Sequence, residues 1–161
     1  MSSTFRQLYY HFVWAPKNRA PIITPQIETI LKNFFPEKIK TLAGTQLALN
    51  MVNDHLHLAA TVPPRTSVSE FMNIIKGSSS HHVNVTLGEK TFYWQTGFGA
   101  LTISKNAVPF IVSYIENQKQ RHRENNIDEE LEHIPDEDEW PHGEQSPTER
   151  LAGRLAVQRP S

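Results

Sequence analysis

The chain has no cysteine among its 161 residues. That excludes a disulfide scaffold, a thiolate zinc site and a cysteine nucleophile, and it suits a reducing cytosol. No stretch approaches the ~18–20 consecutive apolar residues needed to cross a bilayer. Residues 1–10 carry no uninterrupted apolar run of the secretory kind. A GxxxxGKS/T phosphate loop is also missing, which removes the usual signature of ATP-driven chemistry. The expectation is a soluble, cytoplasmic chain that makes no use of a membrane.

Balanced charge is lacking at the regional level. The formal net charge is -1, but residues 1–123 hold 13 Lys+Arg against 6 Asp+Glu, and residues 124–161 hold 3 against 11. The body is basic and the tail acidic. A basic body favours a polyanionic partner, because each phosphate neutralised by Lys or Arg releases condensed counterions. Charge segregation can also serve solubility alone, so composition leaves both readings open.

Residues 7–17 (QLYYHFVWAPK) are dense in aromatic and β-branched types and end near Pro16, which predicts a strand running into the loop Asn18-Arg19-Ala20-Pro21. Thr24-Pro25 opens a helix with a cap residue and a first-turn proline. Ile27, Ile30, Leu31, Phe34 and Phe35 recur at helical spacing, and Pro36 predicts a kink before the helix ends at Gly44. Residues 46–52 and 55–62 read as strands joined at Asn53-Asp54. Thr66 or Ser67 caps a helix bearing Val68, Phe71, Met72 and Ile75; Gly77 and the serines at 78–80 weaken its middle. Residues 91–104 (TFYWQTGFGALTIS) are strand-like, with Gly97 and Gly99 marking a bulge or close approach. A last helix is expected over 106–123, with Pro109 in its first turn.

Strand, helix, strand, strand, helix, strand, helix predicts an α+β sandwich with one mainly antiparallel sheet. The first six elements match the split βαβ pattern of the ferredoxin-like fold, with the last helix added at the C-terminal end. The division expected is a basic domain over 1–123 and an acidic tail over 124–161, flexible or peripherally docked. A short helix over 151–157 is an option within that tail.

Two constellations could carry chemistry. His55-Leu56-His57 lies on a predicted strand, so both imidazoles leave one face and Leu56 the other, and a pair so placed can share a divalent cation. Tyr114 and Gln118 in VSYIENQ are four apart on a helix and share a face. Either pattern alone is common: histidine pairs are mostly structural, and a boundary tyrosine usually buries its ring and wets its hydroxyl.

Their order along the chain is more specific. NDHLHL, SVSEFMNIIKGSSS, FYWQTGFGALTIS and VSYIENQ follow one another, after an opening YYHFVWAPKNRAP. This series resembles the HUH single-tyrosine transposases of small insertion sequences and the related REP-associated tyrosine transposases, over roughly residues 7–123. The resemblance implies that Tyr114 is the nucleophile and that His55, His57 and Gln118 hold a divalent metal ion, Mg²⁺ or Mn²⁺. It implies cleavage and rejoining of single-stranded, hairpin-containing DNA through a 5′-phosphotyrosine link with a free 3′-hydroxyl. A homodimer is also implied, in which the tyrosine helix can serve the partner's histidine pair. One departure stands out: where the family usually has two adjacent histidines at the end of this helix, the chain has Arg121-His122.

Candidate DNA contacts are Lys17, Arg19, Arg65, Lys76 and Lys105, with Phe92, Tyr93, Trp94 and Phe98 as stacking surfaces or, more ordinarily, core residues. The remaining histidines, His11 and the pair His81-His82 among them, read as bystanders. Two rival readings remain: a non-catalytic nucleic-acid-binding module on a ferredoxin-like sheet, and a related HUH endonuclease for replication or repeat processing.

Overall fold

The computed structural model describes residues 5–135. Strand β1 (Tyr9–Trp14) leads through a 3-10 turn (Lys17–Arg19) to helix α1 (Pro25–Thr41). Strands β2 (Thr45–Met51) and β3 (Leu56–Thr61) follow, then helix α2 (Val68–Leu87) and strand β4 (Gly99–Ile103). A second 3-10 turn (Lys105–Ala107) precedes helix α3 (Val108–Glu116), then the short helices α4 (Gln118–Arg123) and α5 (Glu129–Glu132). The sheet order is β2-β3-β1-β4 with every neighbouring pair antiparallel, the arrangement a split βαβ sequence produces. The α+β sandwich is therefore as expected. No helix among the described residues is long and apolar enough to cross a membrane.

Strand alternation divides the protein into two cores. Phe12 and Trp14 of β1, with Leu56, Leu58 and Ala60 of β3, face α1 and α2, where Leu31, Phe35, Ile39, Phe71 and Ile75 meet them. Ala59 of β3 faces the other way and packs with Ile103, Ile111, Tyr114, Ile115 and Leu131. This second layer, thinner than the first, holds Tyr114.

Local differences from the sequence expectations have physical causes. Helix α1 runs through Pro36 to Thr41. Its buried stripe of Ile27, Leu31, Phe35 and Ile39 holds it to the sheet on both sides of the proline, which faces solvent, so water can satisfy the carbonyl that the missing N–H leaves free. Helix α2 likewise continues past Gly77 to Leu87. The hydroxyls of Ser78, Ser79 and Ser80 donate back to carbonyls of the preceding turn, and Gly88 closes the helix at φ 66. Of the expected strand over 91–104 only Gly99–Ile103 pairs in the sheet. Upstream the chain makes a single bridge, Pro16 to Trp94, and Phe92 and Trp94, two residues apart, share the face that packs on the first core. The last helix is interrupted at Asn117, where φ -96 and ψ 14 leave helical geometry.

Lys76 was expected to face DNA. Instead it is buried at 9% exposure, and its ammonium donates to the carbonyls of Gln95 (2.6 Å), Thr96 (2.9 Å) and Gly97 (3.2 Å). Its three protons are thus committed to the loop before β4, which corrects that expectation. Phe92, at 2% exposure, is a core residue, whereas Tyr93 is half exposed.

Beyond α4 the chain folds back onto the sheet. Asp128 caps α5, accepting from the backbone N–H groups of Glu130 and Leu131, and Leu131 and Ile134 are buried. Gly99 permits this return: a Cβ there would collide with the His133 carbonyl and with Val13. Residues 128–135 are therefore docked, and the helix considered over 151–157 lies outside the described residues.

Candidate active site

His57 of β3 and His55, immediately before the strand, lie on one side of Leu56, which enters the opposite core. Both histidines are almost fully buried, at 2% and 0% exposure. Their rings lie 5.1 Å apart, and the His122 ring from α4 lies 4.8 Å from that of His55. Tyr114 of α3 comes down on the same place, 6.1 Å from the His57 ring. The Arg121 guanidinium stands 4.5 Å from the centre of the tyrosine ring, a cation–π contact.

The carboxylate of Glu132 sits in the middle. Its Oε2 lies 2.9 Å from His55 Nε2, 3.1 Å from His57 Nε2 and 3.4 Å from His122 Nε2. Its Oε1 accepts a 2.6 Å hydrogen bond from the Tyr114 hydroxyl, which in turn accepts from the Asp128 backbone N–H at 2.9 Å. One carboxylate thus ties the tyrosine to three imidazoles.

The outer partners orient those imidazoles. Asp54 Oδ1 lies 2.7 Å from His55 Nδ1, and His11 Nε2 lies 2.8 Å from His57 Nδ1. An aspartate on Nδ1 holds a proton there and turns the Nε2 lone pair toward the centre. His11 is a neighbour of the site, which corrects its reading as a bystander. Paired antiparallel strands explain why: His11 faces Ala59 in the β1–β3 register, one side-chain step along the same face from His57.

Electrostatics follow from burial and this network. Burial pushes His11 down to about 3, with His57 beside it adding to the shift, so it stays neutral. His57 is lowered chiefly by burial. At His55 burial acts against the charge, but the carboxylates of Asp54 and Glu132 outweigh it and raise the imidazole. Burial would raise Glu132, yet His55 and His57 hold its carboxyl well below the usual range. Tyr114 is pushed up to about 12, first by burial and then by Glu132. In this arrangement the phenol is protonated.

Four donors can hold a cation together: one ligand atom each from His55, His57, His122 and Glu132, all within 4.8 Å of one another. Gln118 fits the same purpose in a different way. It is fully buried at the start of α4, and neither amide atom has an aligned hydrogen-bond partner, although the amide is near enough to bear on Tyr114 ionisation. A buried amide left without partners costs roughly 1–3 kcal/mol, which a ligand would relieve. The residues present therefore fit a divalent ion. The structure gathers His55, His57, Tyr114 and Gln118; Lys17, Arg19, Arg65 and Lys105 are exposed residues outside the cluster.

Sequence reasoning missed Glu132 altogether. The available signal was a capped turn, Asp128 followed by Leu131 and Ile134 at helical spacing, inside an otherwise acidic run.

The sequence and the fold match a family of DNA-processing enzymes. The family model described as Transposase IS200 like matches residues 4–118, and the chain belongs to that family. It is 26% identical over 121 residues to the ISDra2 transposase TnpA of Deinococcus radiodurans, covering 71% of this chain and 86% of the relative. It is 29% identical over 115 residues to the transposase for insertion sequence element IS200 of Salmonella typhimurium, covering 68% and 75% respectively. Among solved structures, a transposase crystal structure from Deinococcus radiodurans aligns with a TM-score of 0.58 at 22% identity, over 73% of this chain and 96% of that one. A REP-associated tyrosine transposase bound to a REP hairpin aligns with a TM-score of 0.54 at 18% identity, over 91% and 99%. These two likenesses concern the fold.

Proposed function

We propose that this transposase cleaves and rejoins single-stranded DNA with Tyr114 as nucleophile and a divalent ion held by His55, His57 and Gln118. The observation that carries the reading is convergence: a buried tyrosine hydroxyl and the Nε2 atoms of two buried histidines share one carboxylate. A binding module has no need of that.

When bound, the ion supplies Lewis-acid polarisation of the scissile phosphate and positive charge beside the phenol. With imidazole among the donors, Mn²⁺ suits the set better than Mg²⁺, which prefers oxygen. The protein does the rest. Asp54 accepts from His55 Nδ1, which turns that Nε2 lone pair inward, and the hydrogen bond between His11 Nε2 and His57 Nδ1 holds the His57 ring with its Nε2 toward the same centre. The Asp128 N–H and the ring contacts of Tyr114 hold its oxygen in place, the kind of positioning that lowers an attack barrier most. The Tyr114 Oη–P bond forms as the P–O3′ bond breaks, and the proton given up by the phenol is balanced by the one the 3′ oxygen gains. The product is a 5′-phosphotyrosine and a free 3′-hydroxyl, with bond energy conserved for rejoining by another 3′-hydroxyl.

Exposed Lys17, Arg19, Arg65 and Lys105 are proposed as phosphate contacts, and a hairpin-containing single strand as the substrate. Tyr114 reaches the histidines of its own chain here, so the reading requires no partner subunit for the site's geometry; the homodimer is a separate proposal. The test is incubation with labelled single strands from the flanks of the gene, with Mn²⁺ or Mg²⁺, beside Tyr114→Phe. A metal-dependent covalent band absent from the variant supports the reading; tight binding with no adduct on any strand tested favours the binding module.

A further inference from the structure

We infer that Glu132, with His122 beside it, is a ligand of that same cation, so the docked acidic segment completes the metal centre. The inference rests on the metal-centre reading above and goes beyond it in one respect. It assigns a carboxylate ligand from outside the family-matched residues, which end at 118.

Distances carry the argument. Donors about 2.1 Å from one ion and about 90–109° apart around it are separated by ~3.0–3.4 Å. The separations from Glu132 Oε2 to the three imidazole nitrogens are 2.9, 3.1 and 3.4 Å, the spacing of neighbouring ligands in one shell. The contact to His57 is an aligned hydrogen bond, whereas those to His55 and His122 are ion-pair contacts without hydrogen-bond alignment. Four donor atoms within 4.8 Å of one another, three of them imidazole nitrogens around one carboxylate, are gathered closely enough to share one cation. Charge agrees: three neutral imidazoles and an amide bring none, and one carboxylate halves a 2+ charge while leaving the remainder to face a phosphate.

The segment is built to deliver this group. The Asp128 cap, buried Leu131 and Ile134, and the cleared space at Gly99 fix residues 128–135 against the sheet. Glu132 Oε1 remains hydrogen-bonded to Tyr114, so the ligand also couples nucleophile and ion. Metal binding and docking of this segment are then one equilibrium: each tightens the other by the same factor.

The experiment is calorimetric titration of the full chain with MnCl₂, without DNA, comparing wild type, Glu132→Gln, His122→Ala and His57→Ala. Loss of the carboxylate is expected to weaken Mn²⁺ binding by at least the ~10–100-fold seen when outer-shell groups are lost; loss of His122 should weaken it less, and His57→Ala should abolish it. Binding by Glu132→Gln that equals or exceeds wild type overturns the inference and leaves the metal centre intact, Glu132 then occupying the cation's place. A wild type that binds no Mn²⁺, or binds it no better than His57→Ala, overturns both. Hydrogen exchange of the wild type with and without Mn²⁺ needs no variant: residues 128–132 should gain protection if Glu132 is a ligand and lose it if the ion displaces Glu132.

Discussion

Lys76→Met offers a test of the packing that shapes the second half of the sheet. The methionine replaces the lysine stem at similar length and removes only the ammonium. Three charge-assisted hydrogen bonds would go, to the carbonyls of Gln95, Thr96 and Gly97, each worth ~1.5–3 kcal/mol. Against them stands the cost of burying the charge. Burial lowers the lysine from 10.5 to about 8, a displacement worth ~3 kcal/mol. The bonds exceed the desolvation, and the loss expected at pH 7 is about 2–4 kcal/mol by urea unfolding. The pH dependence has a definite sign. Between pH 8 and 10.5 the unfolded chain retains a proton that the folded chain has released, so wild-type stability rises through that window relative to Lys76→Met. A variant as stable as wild type at pH 7 would mean that the carbonyls do not repay burial, and would refute the reasoning.

Further outcomes follow from the same contacts. Phe71→Ala empties a fully buried position between α2 and β1 and should cost about 3–5 kcal/mol in denaturant unfolding. Asp128→Ala removes the α5 cap at a cost of about 1 kcal/mol, and should raise amide exchange over residues 129–132 while leaving β1 and β3 unchanged. Gly99→Ala drives a methyl into the His133 carbonyl, so the same exchange measurement should find residues 128–134 released, together with a drop in global stability. Tyr114→Phe should reduce stability by only about 1–2 kcal/mol, since it loses two hydrogen bonds but no packing, so its loss of DNA cleavage can be read by gel without a folding defect.

Much of this architecture was legible because periodicity and capping are local signals. The Thr24-Pro25 and Ser67 helix starts, the His55-Leu56-His57 alternation and the ferredoxin-like order all follow from neighbours within a few residues. The site was legible to the extent that Tyr114 and the histidine pair stand in an ordered series. The rest depended on long-range pairing. His11 gained meaning only when β1 was laid beside β3, and Lys76 only when the loop carbonyls of 95–97 were seen around it. Glu132 sits in a run whose composition reads as solvated, and a single buried turn held by Asp128, Leu131 and Ile134 overrides that composition.

The most direct measurement is mass spectrometry of the protein after reaction with single-stranded DNA and Mn²⁺, followed by nuclease trimming and proteolysis. The account predicts a nucleotide joined by phosphodiester to the peptide containing Tyr114, absent when the ion is chelated. An adduct on any other residue, or cleaved DNA with no adduct at all, would contradict it.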